Sequence, residues 1–63
     1  MTDIQGYAER VAEGLRHDGY PNRMGWLDAA LAGARYHVEV PREATTIREV
    51  SLLIAQSALG GGR

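Results

Sequence analysis

The stretch Asn22-Arg23-Met24-Gly25-Trp26-Leu27-Asp28-Ala29-Ala30-Leu31-Ala32-Gly33-Ala34-Arg35-Tyr36 holds the only tryptophan of the chain, four alanines and two glycines. At helical spacing it has two faces. Met24, Leu27, Leu31 and Ala34, with Ala30 beside them, recur at the period of a helix packed on a core. Gly25, Ala29 and Gly33 fall four apart on a second face. Such a ladder of small residues puts no side chain between two backbones, so a second helix is expected to approach closely there. Trp26 lies about 100° round the helix from Leu27, beside the ladder. An aromatic there serves either as the centre of a small core or as an interface anchor.

The residues before this stretch supply one partner. Thr2 and Gln5 have capping-box spacing, and Asp3 suits the positive start of a helix. Ile4, Tyr7, Ala8, Val11, Ala12 and Leu15 then mark one apolar face, while Gln5, Glu9, Arg10, Glu13 and Arg16 take the other. The spacing predicts a helix over 2–17. Gly6 and Gly14 each cost about 1 kcal/mol relative to alanine inside it, so packing must hold it. Gly19 can take the left-handed conformation that ends a helix, and Pro21 prevents continuation. Asn22 is the expected cap of the second helix, Tyr20 is expected to fold over the junction, and so short a connection favours an antiparallel pair.

Beyond the stretch the period changes. Tyr36-His37-Val38-Glu39-Val40 alternates and is closed by Pro41. It reads as one short extended segment with no second strand to pair with, hence a linker or an edge awaiting a partner. Thr46 with Glu49 forms another capping box, opening a third helix over 47–59. Ile47, Val50, Ile54 and Ala58 make one apolar stripe with Leu53 at its edge, and Leu52, Ala55 and Leu59 make a second. A three-helix monomer covers one stripe more easily than both. Gly60-Gly61-Gly62-Arg63 reads as a flexible tail.

With 63 residues and no cysteine, the chain has neither the size for a deep core nor a disulfide framework. Domains this small gain margin from a metal, a disulfide or a second subunit. Oligomerisation is the expected source here. A net charge of −1, with all seven bases arginine, gives no whole-domain attraction to phosphate or anionic lipid. No apolar run approaches the ~20 residues of a membrane span, and Met-Thr-Asp-Ile-Gln lacks the features of a signal peptide. The expected location is cytoplasmic, in a bacterium or a phage-infected host.

No catalytic constellation stands out. Ser51 or Ser57 could meet His17 or His37, but neither serine sits in a nucleophile motif, and a chain this short rarely encloses a water-excluded pocket. No enzyme activity, cofactor or metal is expected. The segment Val40-Pro41-Arg42-Glu43-Ala44-Thr45-Thr46-Ile47-Arg48-Glu49-Val50 resembles the recognition-helix start of GntR-type winged helix-turn-helix repressors, where Val-Ser-Arg precedes Thr-Val-Arg-Glu. The resemblance implies a dimeric DNA-binding regulator in which Arg42, Thr45, Thr46 and Arg48 face phosphates and base edges. Two extra residues separate Arg42 from Thr-Ile-Arg-Glu, and the charge balance lacks the usual basic face, so this reading ranks second. The first is an all-α, three-helix domain over 1–59: a helical hairpin, a short extended linker and a third helix, completed by dimerisation. Its expected function is non-catalytic protein binding, as a homodimeric adaptor or inhibitor of a protein partner. Trp26, Gly33, Leu52 and Leu59 are the residues expected at its interfaces.

Overall fold

Asp3 starts the first helix. Its carboxylate accepts the backbone N–H of Gly6 at 3.0 Å, satisfying one of the donors a helix start leaves free. In the computed structural model, which describes residues 3–60, this helix is α1, Ile4–His17. It is followed by α2, Trp26–Ala34, and α3, Ile47–Gly60. Thr2, expected as a capping residue, and residues 61–63 of the expected tail lie outside the described residues. Gly60, assigned to that tail, is the last residue of α3. The architecture is all-α, as the sequence periods indicate, and no β-strand is present among the described residues.

Two helix ends are closed in the same way. At the end of α1, Tyr20 N–H donates to Leu15 O at 3.1 Å and Gly19 N–H to Arg16 O at 3.0 Å, with Gly19 at φ 101°. This is the Schellman pattern, and Tyr20 packs back on the core as expected. At the end of α2, Val38 N–H donates to Gly33 O at 2.9 Å and His37 N–H to Ala34 O at 3.0 Å. Here the left-handed position is held by His37, at φ 60°. A side chain there is strained in a way glycine is not.

The core gathers Val11, Ala12 and Leu15 from α1, Ala29 and Ala32 from α2, Ile47, Val50 and Ile54 from α3, and Met24 from the connection. The most extensive helix–helix packing joins α1 and α3 and α2 lies mainly on α3, so α1 and α2, expected as a hairpin, make little contact with each other. Small residues permit the close α1–α3 approach: Ala8 and Ala12 on one side, Ser51 and Ala55 on the other, all buried. Leu52, on the second stripe of α3, is half-buried, and Ala58 on the first is exposed. The cap of α3 is the one the sequence indicates. Glu49 N–H donates to Thr46 Oγ1 at 3.2 Å, and Thr46 N–H returns a bond to Glu49 Oε1 at 3.3 Å.

The second helix differs from expectation at its start. Asn22 is not its cap. The N-cap is Gly25, without a side-chain hydrogen bond, and the residues before it pair with the entrance to α3. Met24 N–H donates to Thr45 O at 2.6 Å, Ile47 N–H donates to Asn22 O at 2.9 Å, and Arg23 and Thr46 form an isolated antiparallel bridge. These bonds fix the junction after α1 to the first turn of α3. They take up the backbone groups that a longer second helix would have needed.

It also differs in the face it buries. Ala29, Ala32 and Gly33 are the buried residues of α2, whereas Leu27, Leu31 and Ala34 are exposed. The small-residue face is therefore the inner one. Its close neighbour at Gly33 is the extended segment 38–40 rather than a helix. A Cβ built on Gly33 would overlap Val40 Cγ2 and come within 2.7 Å of Val38 O. Val38 and Val40 are half-buried against the core and Glu39 is exposed, so the alternation expected of 36–40 holds for 38–40 alone, without a partner strand, while Tyr36 and His37 belong to the turn that ends α2.

Three outcomes follow for denaturant midpoints. Gly33→Ala is expected to lower stability by about 1–3 kcal/mol, because overpacking against Val40 and the Val38 carbonyl outweighs a propensity gain of about 1 kcal/mol. Ala29→Leu is expected to act in the same direction. His37→Gly is expected to raise stability by about 0.5–1 kcal/mol by removing the left-handed strain.

Candidate functional site

Burial of the small face of α2 leaves its large residues outside. Trp26, Leu27 and Leu31 are 50%, 61% and 59% exposed. Leu27 and Leu31 are one turn apart and form a ridge, with half-buried Ala30 along one flank and exposed Ala34 a turn further on. A helix apolar on all sides belongs in an interior, yet half of this one faces solvent.

Charged groups frame the ridge. Beside its first turn the Arg42 guanidinium lies over the Trp26 ring, 4.9 Å from the centroid. A contact of this kind is worth about 0.5–1 kcal/mol at an exposed site and fixes one side of the indole. At the other end Arg35 Nη1 donates to Asp18 Oδ2 at 2.6 Å. That hydrogen bond first, and the Asp18 charge second, raise the Arg35 pKa further. Asp28 is exposed in the first turn.

The residues singled out in the sequence fall in different places. Trp26 is exposed at the first turn of α2, nearer round the helix to Gly33 than to the leucine ridge. Gly33 lies on the inner face beneath the 38–40 segment. Leu52 is half-buried between α1 and α3, and Leu59 is 38% exposed near the end of α3. Leu27 and Leu31, whose period suits core positions, stand outside the core. The available signal was that both faces of the helix are apolar, so periodicity could not say which one turns inward.

The four residues of the DNA-binding alternative are largely engaged within the chain. Arg42 is stacked on Trp26. Thr45 N–H donates to Glu49 Oε1 at 3.1 Å, and Thr46 Oγ1 donates to the same oxygen at 3.1 Å. Arg48 is exposed, at the edge of a groove between α1 and α3.

That groove, about 470 Å³ in volume, is lined by Ala8, Ala12, Ser51 and Leu52 together with the charged Glu9, Glu13, Arg16 and Arg48. Ser51 is 1% exposed, and its Oγ has no hydrogen-bond partner among the described residues. No histidine therefore activates it. His17 and His37 are both exposed.

Comparison with protein-family models, with curated proteins and with solved structures finds no match to this chain. Its surface geometry is what bears on function.

In protein dilute enough to be monomeric, Leu31→Asp is expected to change folding stability by no more than about 0.5 kcal/mol, as at other exposed positions, whereas Val50→Asp, in the core, is expected to unfold the chain. Ser51→Ala is expected to stabilise by about 1 kcal/mol, since the buried hydroxyl has no partner to lose. Chemical denaturation followed by circular dichroism checks all three.

Proposed function

We propose that the protein is a small, non-catalytic protein-binding module that acts as a homodimeric adaptor or inhibitor by covering the surface of another polypeptide. The observation that carries this is α2, where Leu27 and Leu31 stand exposed as a ridge and Trp26 is exposed at the first turn, about 100° round the helix from Leu27. Large apolar side chains clustered in water mark a place where another surface belongs. Aromatic residues with arginine beside them are the commonest energetic centres of such contacts. Trp26 under Arg42 has that composition, and its indole is already held in place before a partner arrives.

One feature favours binding over chemistry: the buried Ser51 hydroxyl has no hydrogen-bond partner among the described residues, so no base activates it.

The test is photo-cross-linking inside the producing cell. A photoreactive residue replacing Leu31 is expected to give discrete adducts. The same residue replacing Arg10, on the solvent face of α1, is expected to give none. Equal yields at the two positions would contradict the assignment of α2 as the binding face.

A further inference from the structure

We propose that the outer face of α2 pairs with the same face of a second copy of this chain, the two helices antiparallel about a two-fold axis passing near Leu31. The proposal rests on the reading of α2 as a protein-binding face and names a second copy as its occupant, so the surface the dimer offers to another polypeptide lies outside the Leu27–Leu31 seam.

The pattern of large and small residues comes first. Leu27, Leu31 and Ala34 follow the alternating spacing of three and four that forms the seam of a helix pair. Leucines project from it and alanines leave room beside them. The face therefore offers both knobs and holes, as an isologous contact requires.

The charges decide the direction. Asp28 and Arg35 are seven residues apart, so they lie on the same edge of the helix, about 10 Å apart along its axis. Arg35, the C-cap, keeps helical dihedrals at φ −62° and ψ −22°, which holds it on that edge. The two residues stand on either side of Leu31. A two-fold axis across the helix keeps each edge on its own side and reverses its ends. Asp28 of one copy then meets Arg35 of the other, twice. A parallel pair would place the Asp28 edge against the opposite edge of its mate, where Ala30 stands, and no charges would be matched. Arg35 has donors to spare, because its bond to Asp18 uses Nη1 alone.

Self-association of this kind also accounts for the size of the chain. With 63 residues and no cysteine, a second subunit extends the core that one copy leaves open at α2.

Sedimentation equilibrium on the whole chain at roughly 100 µM, a range that detects association of about 5–6 kcal/mol or stronger, tests this with four proteins. The unmodified chain is expected at twice its 6.9 kDa mass. Leu31→Asp is expected to be monomeric with its helical signal intact. Asp28→Arg is expected to weaken the dimer about tenfold or more, because it sets arginine against arginine. The double variant Asp28→Arg/Arg35→Asp is expected to recover most of that loss. Arg35→Asp also opposes Asp18 within one copy, so the helical signal of the double variant is followed in parallel. A monomeric parent chain overturns the proposal. The protein-binding reading of α2 survives that result if position 31 still cross-links to a different protein. A dimer indifferent to Leu31→Asp, or one that Asp28→Arg leaves unchanged, overturns the face or the antiparallel geometry respectively.

Discussion

The absence of a side chain at Gly33 determines how the second helix sits. Because nothing projects there, the chain turns back through His37 and lays Val38–Val40 across the helix, with Val38 O and the Val40 side chain in the space a Cβ would need. Once that segment is seated, Ala29, Ala32 and Gly33 are the inner face and the core closes over them with Met24, Val50 and Ile54. The opposite face, bearing Leu27 and Leu31, has nowhere to go but outward. One missing methyl group thus links backbone packing to the surface the protein presents.

The rest of the fold is held at the junctions between elements. Two backbone hydrogen bonds tie the Asn22–Met24 segment to Thr45–Ile47, which sets the start of α3 against the end of α1. Asp18 reaches across to Arg35, so the C-terminal ends of α1 and α2 are also linked. The pair is exposed on both sides and screened by solvent, so it adds little to stability. Its larger consequence is positional, since it holds a cation at the end of the α2 ridge.

How legible each helix is in sequence depends on how different its two faces are. In α1 the contrast between Val11, Ala12, Leu15 and the charged Glu9, Arg10, Glu13 leaves one solution, and the buried residues are those expected. The Thr46–Glu49 box is equally direct, because a cap is a local pairing. In α2 both faces are apolar, so the period is right and the facing is not. The choice depends on which face the 38–40 segment can approach, and that follows from the space at Gly33. The Asn22–Met24 segment departs from the expected helix start for a related reason. It pairs with residues more than twenty positions away, and local spacing carries no record of that. For the candidate site, Trp26 was legible as an aromatic at the edge of a stripe. Leu27 and Leu31 were not, since leucines at helical period are ordinarily core.

The inverted α2 is the point on which the functional reading turns, and two adjacent residues report on it. The chain has no cysteine of its own, so single cysteines can be placed at Leu31 and at Ala32, one outward and one fully buried. In protein dilute enough to be monomeric, the Leu31→Cys thiol should react with a small maleimide at nearly the rate of the unfolded chain. The Ala32→Cys thiol should react only through unfolding, slowed in proportion to global stability. Fast labelling at 32 with protection at 31 would mean that α2 buries its leucines after all, and no apolar face would remain for a partner.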